Sequence, residues 1–190
     1  MSLRLYNFGC DVSFSIMSIC TKRGDEGVTD LMFGKRIAKT DARVEACGAV
    51  DELNAVLGIV RNADVSDELV QWVDEVQKRL VGLMGVIATH EDDHEKYAEK
   101  GYTGIEASDV EWLESLISEA ESEKGISFKG WARPGKEGKL ASAYLDLART
   151  VCRRSERACW AVEDDALMTA RLFLNRLSDS LWLVAREASV

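Results

Sequence analysis

Apolar residues recur along this chain at alternating steps of three and four. Ala46, Val50, Leu53, Leu57 and Val60 follow that rule, as do Leu69, Val73, Val76, Leu80, Leu83 and Ile87. Val110, Leu113, Ile117 and Ala120 continue it, and Leu140, Tyr144, Leu147 and Val151 repeat it. Leu167, Ala170, Leu174, Leu177, Leu181 and Val184 form the cleanest seam. Such steps keep side chains on one face of a helix. They predict helices over 41–63, 66–89, 106–123, 137–162 and 165–188. Asp41, Ser66 and Ser108 are candidate N-caps, and Gly125 is a candidate stop for the third helix. The expected fold is all-α, a five-helix up-down bundle with helices crossed at about 20°. Residues 20–40 fit no helix and form an irregular, Gly-containing N-terminal segment, while 90–105 and 125–136 read as polar or Gly-rich connections.

Composition agrees with long helices: 190 residues hold one proline, Pro134, and 14 glycines. With 46% hydrophobic and 30% charged residues the chain can bury a core. The formal charge of -9 argues against a protein that coats nucleic acid or an anionic membrane, though it leaves room for a local basic pocket. No apolar run approaches the length of a membrane span. Residues 1–20 make a poor signal peptide, since Arg4 is their one basic residue and Asp11 interrupts the apolar part. The five cysteines are scattered without ligand spacing, which points to free thiols, a reducing cytoplasm and small apolar fillers.

Three stretches break the helical pattern. Extending the fourth seam past Val151 lands on Arg154, where the core wants an apolar residue, and Arg149, Arg153, Glu156 and Arg157 surround it. Several guanidiniums within about 12 Å of helix repel one another unless an anion joins them. An anion site, a solvated basic stripe and an inter-subunit ion-pair network all fit this pattern. Asn175, Arg176, Ser178 and Asp179 interrupt the last helix, either seeking partners or lying on an exposed side. Thr21–Thr29, TKRGDEGVT, has glycines three apart whose turns can present N–H groups to an anion, with Lys22 as a charge and Asp25 as a possible Mg²⁺ contact. An ordinary exposed loop reads the same way, and no Walker A loop occurs. His90 and His94 in HEDDH supply too few histidines for a di-iron bundle site, so a solvated acidic loop is the expectation there. Trp72, Trp112 and Trp182 sit at helical spacing as core or interface residues, and Trp160 lies on the arginine face.

TKRGDEGVTDLMFGKRIAKTDARVEACGAVDELNAVLG, RTVCRRSER and FLNRLSDSLWLVAR together resemble the PduO-type ATP:cob(I)alamin adenosyltransferases, over roughly residues 18–188. The resemblance implies a cobalamin adenosyltransferase-like bundle that assembles as a homotrimer with active sites between subunits. It implies transfer of the 5′-deoxyadenosyl group of ATP to cob(I)alamin, with Mg²⁺, giving adenosylcobalamin and tripolyphosphate. A carrier or sensor of ATP or cobalamin on the same bundle, with little turnover, is the alternative, and a purely structural helical trimer a third.

By the same resemblance, Thr21, Lys22, Arg23, Gly24, Asp25, Gly27 and Thr29 wrap the triphosphate and Lys39 joins them. The RRxER box, Arg153, Arg154, Glu156 and Arg157, reaches phosphates, metal and adenosine, and Asn175 is a further ATP contact. Asp51 pairs with Arg149 at the subunit interface beside the site. The aromatic that helps expel the lower base of the corrin is Trp131, in Trp131-Ala132-Arg133-Pro134-Gly135 where the family has nearly Phe-x-x-Pro-Gly-Gly. Cys47 stands where the family usually has Tyr. Residues 1–16 are expected to be a disordered extension and 17–190 one helical-bundle domain. A reductase and an adenosylcobalamin-dependent enzyme are the implied further partners.

Overall fold

A computed structural model describes residues 20–126, 130–136 and 138–188. The expectation of disorder for 1–16 falls outside these residues. A ribbon comes first, with β1 (Val28–Asp30) antiparallel to β2 (Arg36–Ala38) and Val28 opposite Ala38. The helices are α1 (Ala42–Arg61), α2 (Asp67–Ile87), α3 (His94–Glu99), α4 (Ala107–Ser122), α5 (Leu140–Trp160) and α6 (Met168–Glu187). The five long ones match the expected five within a few residues at each end. The molecule is mostly helical rather than all-α, because the N-terminal segment closes into a ribbon. It also has a sixth helix, α3, since the 90–105 connection coils after a short 3₁₀ turn at Glu91–Asp93.

Caps explain several starts. Asp41 accepts from the Arg43 N–H at 2.8 Å, and Ser66 accepts from the Leu69 N–H at 3.3 Å. Ser108 is not a cap. Glu106 caps α4 and Asp109 returns a bond to the Glu106 N–H at 2.9 Å, which moves the start two residues earlier.

Cross-helix bonds fix the directions. Gln77 donates to Asn54 O and Arg61 pairs with Asp74, so α1 and α2 are antiparallel. Ser142 donates to Ala185 O and Cys152 to Leu174 O, so α5 and α6 are antiparallel too. Glu114 meets Arg176 and Lys124 meets Glu187, which runs α4 parallel to α6. The seams of α1, α2 and α6 are buried as their spacing requires except at the half-buried Leu69 and Val184, and Val50, Leu53, Leu80, Leu83, Leu174 and Leu177 are fully enclosed.

α5 departs from the expected register by one residue. Its buried line is Ala141, Leu145, Ala148, Cys152, Ser155 and Cys159. Apart from Leu145 these side chains are small, so α5 fits between α1 and α6. Ser155 donates to Ala49 O at 2.7 Å, which satisfies its hydroxyl in the α1–α5 contact. Leu140 and Leu147, assigned inward by spacing alone, are instead 65% and 44% exposed. Arg154 is consequently not a core arginine. It is half-exposed and pairs with Glu52 on α1.

Candidate functional site

Residues 22–27 form two successive turns, with Asp25 N–H bonded to Lys22 O at 3.3 Å and Gly27 N–H to Gly24 O at 3.2 Å. Gly27 has φ 78°, a left-handed conformation that glycine adopts without strain. Lys22 adopts φ 58° with a side chain, which costs energy and marks the turn as constrained. Thr21 Oγ1 accepts from the Arg23 N–H at 3.5 Å. The Lys39 N–H then donates to Gly27 O at 2.8 Å, folding the end of β2 back onto the turn. A Cβ on Gly24 would lie 2.8 Å from Lys39 Nζ, so the absence of a side chain lets the ammonium sit against the backbone. Thr21, Lys22, Asp25 and Gly27 are exposed, and Thr29 is half-buried on β1. Arg23 is committed elsewhere: it pairs with Asp30 at 3.0 Å, and Arg36 caps the Arg23 carbonyl at 2.8 Å.

The second cluster lies where the C-terminal half of α5 meets α6. Glu156 is half-buried, and its Oε1 accepts from Asn175 Nδ2 at 3.4 Å. Arg176 donates to Asn175 Oδ1 at 2.7 Å and to Glu114 Oε1 at 2.8 Å, which fixes which way the Asn175 amide points. Arg153 and Arg157 are exposed on α5, and Arg157 donates to Arg153 O at 3.0 Å. Partial burial pushes Asp179 above the usual carboxylate range, opposed by Arg176 and Arg153 and reinforced by Glu156. Arg153, Glu156, Asn175 and Asp179 thus form one electrostatic patch with uncommitted guanidinium capacity.

The two clusters share no hydrogen bond or ion pair among the described residues of one chain. They nevertheless occupy the same end of the bundle. The ribbon leads into the start of α1, whose Ala49 and Glu52 touch Ser155 and Arg154. Within the chain Arg149 engages Asp146 at 3.4 Å, and Asp51 is exposed on α1. Trp131 is 93% exposed, in the loop before α5. A cavity of about 720 Å³ opens at the opposite end, among Leu69, Trp72, Leu116 and Leu183, and none of the expected site residues lines it.

Sequence reading missed a buried ionic network at the site end. Arg43 Nη2 donates to Asp164 Oδ2 at 2.6 Å, and Arg43 Nη1 donates to Thr89 O at 2.9 Å. His94 Nε2 meets the same Asp164 oxygen at 2.9 Å. Arg171 donates to Val162 O at 2.6 Å and stacks on Trp160 at 4.7 Å. The signal for Arg43 was present, because one further step of three back from Ala46 reaches it. His94 therefore belongs to a buried network, not to a solvated loop.

Burial raises the Cys152 thiol well above its ordinary range and pushes Cys159 up to about 12. Burial also raises Cys47, and Asp51 adds to it. These thiols stay protonated, so they are not nucleophiles. The chemistry open to the two clusters is the holding and neutralising of a polyanion by Lys39, Arg153 and backbone N–H groups.

The family model described as cobalamin adenosyltransferase matches residues 19–188. A corrinoid adenosyltransferase of Citrobacter freundii is 38% identical over 170 residues, covering 88% of this chain and 93% of that one. The corrinoid adenosyltransferase PduO of Salmonella typhimurium is 32% identical over 90% of this chain, which spans 49% of its length. Among solved structures, a variant PduO-type ATP:corrinoid adenosyltransferase from Lactobacillus reuteri, complexed with cobalamin and ATP, superposes with a TM-score of 0.80 at 30% identity. That alignment covers 90% of this chain and 93% of the other. The chain belongs to the cobalamin adenosyltransferase family.

Proposed function

We infer that this chain is an ATP:corrinoid adenosyltransferase, moving the 5′-deoxyadenosyl group of ATP to the cobalt of a reduced corrinoid. The observation that carries the reading is that the family match runs through both clusters, the Lys39–Gly24 contact and the Glu156–Asn175 contact. In the reaction the Co(I) substrate supplies the electron pair of a new Co–C5′ bond, and the C5′–O bond breaks. Its electrons leave with tripolyphosphate. The protein needs no nucleophile of its own. It must align two substrates and neutralise charge that builds on the leaving group.

We assign that neutralisation to Lys39, the turn at Lys22–Gly27, Arg153 and Arg157, with Asn175 and Glu156 orienting the nucleotide. Thr21, Arg23 and Thr29 complete the turn, Arg154 holds α5 to α1 through Glu52, and Trp131 faces the corrin. Mg²⁺ prefers oxygen ligands and keeps waters and phosphate oxygens beside one or two carboxylates. Glu156 fits that role, because its one hydrogen bond among the described residues is a long 3.4 Å contact from an amide. Asp25, exposed in the turn, is a second carboxylate of the right kind. The ion would supply further charge neutralisation at the triphosphate.

The two clusters meet, on this reading, between subunits of a homotrimer, with Asp51 of one subunit beside Arg149 of the next. The outward face of α1 and α5 supports self-association: a shallow groove there is lined by Ala55, Ile59, Leu140 and Tyr144. The enzyme works in the cytoplasm with a reductase upstream and an adenosylcobalamin-dependent enzyme downstream. No helix among the described residues is long and apolar enough to cross a membrane.

The test is to mix the protein with MgATP and chemically reduced cobalamin and follow the corrin spectrum. Conversion to adenosylcobalamin is expected, and Arg153→Ala should slow it about 100-fold or more through lost charge stabilisation. Tight ATP binding without conversion would establish the carrier instead.

A further inference from the structure

An isolated two-stranded ribbon is marginal in water, so the one that carries the glycine turn must be held by the bundle. Its attachments converge on the bend between β1 and β2. Leu31 is buried, and the Met32 N–H donates to Ala88 O at 2.8 Å. Phe33 adopts φ 65°, a strained conformation for an aromatic residue, and its ring receives the Lys96 ammonium at 4.3 Å. Lys35 Nζ donates to Asp92 Oδ2 at 2.7 Å and to His90 Nδ1 at 2.8 Å. Residues 32, 33 and 35 thus land on a single stretch, 88–96.

That stretch is fixed from beneath. Arg43 holds the carbonyls of Ile87 and Thr89, and His94 is tied to the buried Asp164. The platform is therefore rigid where the ribbon touches it. His90, Glu91 and Asp92 lie close enough to share a cation, but the Lys35 ammonium already holds that place.

We propose that residues 88–96 are a docking platform that holds the ribbon, and through it the Lys22–Gly27 turn and Lys39, in the conformation that receives the triphosphate. Lys35, Asp92 and Lys96 are positioning residues: they act through the ribbon and do not touch the nucleotide. This rests on the reading that the ribbon turn takes the triphosphate. A platform of this kind sets the fraction of chains ready to bind. Loosening it lowers that fraction, raises the apparent dissociation constant in inverse proportion to it, and leaves the saturated rate alone. The contacts are exposed, which bounds the effect of any one at about fivefold.

Asp92→Ala and Lys35→Ala, made in the full chain, are the variants to measure, with Lys39→Ala beside them. Expected for each of the first two is a KM for ATP raised about threefold to fivefold, with kcat within about twofold. Amide exchange should quicken in 28–38 and stay unchanged in α5 and α6. The double variant should be no worse than Lys35→Ala alone, which already removes the Asp92 contact together with the one to His90. The exchanged pair, Lys35→Asp with Asp92→Lys, should bring KM back within about twofold. If Lys39→Ala weakens ATP binding while Asp92→Ala and Lys35→Ala change neither KM nor ribbon exchange, the platform is refuted and the site stands. If Lys39→Ala also leaves ATP binding unchanged, the placement of ATP on the ribbon falls, and the platform with it.

Discussion

Asp164 shows how much a single residue decides at the site end. Burial alone would raise its carboxyl, but hydrogen bonds from Arg43, His94 and the Ala166 N–H hold it below the usual range. A depressed folded value contributes stability that is complete above the unfolded value, near 3.9, and is lost as pH falls through the folded one. Asp164→Asn should therefore cost about 3–5 kcal/mol at pH 7, because it leaves the buried Arg43 without its counter-charge. That deficit should shrink as pH drops below about 4, where the parent chain surrenders the same interaction. Denaturant melts of both proteins at pH 7 and pH 3 decide it, and a gap that stays constant would refute the assignment. Residues of this kind were hardly legible in the sequence. Arg43 and Asp164 are 121 positions apart, and nothing local marks Asp164 as a partner. Lys39 was legible only through resemblance, and the glycine turn at Gly24 and Gly27 only as one of two open readings, since a loop of small and charged residues reads as solvent-exposed until its contacts are known.

Among the elements, α1, α2 and α6 could be read from spacing because large apolar side chains mark their seams, Leu and Val in α1 and α2 and chiefly Leu in α6. The register of α5 could not, because Ala, Ser and Cys fill most of its inward face beside Leu145 and Val151, while Leu140 and Leu147 face out. A periodicity count follows the larger side chains, and here the larger ones serve a different surface. The register difference has a direct consequence. Ser155 is fully buried against α1, whereas the spacing argument put position 154 inside. Ser155→Leu should therefore overpack the α1–α5 contact and remove the hydroxyl bond to the Ala49 carbonyl, costing about 1–3 kcal/mol. A thermal melt shifted by less than the error of measurement would restore the spacing register. The ribbon and α3 escaped prediction for another reason. Three-residue strands and a six-residue helix are too short to show a period, and each is held by contacts distant in sequence.

For the whole molecule the decisive question, on the proposed function, is how two clusters that share no hydrogen bond or ion pair among the described residues would act on one nucleotide. Both lie at the same end of the bundle, and α1 and α5 present an outward groove with Ile59 and Leu140 45% and 65% exposed. A ring of three copies built through that face would carry the ribbon of one subunit to the α5–α6 patch of its neighbour, three times over. The arrangement can be tested by complementation. Lys39→Ala damages only the ribbon half of a site, and Arg153→Ala only the patch half. When the two variants are unfolded together in equal amounts and refolded, each site draws its halves from two different chains. About one site in four then combines an intact ribbon with an intact patch, so mixed trimers should regain about a quarter of the parent rate. Each variant refolded alone should stay near its own residual rate. If every site is instead built within one chain, mixing can restore nothing, because each chain carries one lesion. A mixture no faster than the mean of its two components would thus confine both halves of the site to a single subunit.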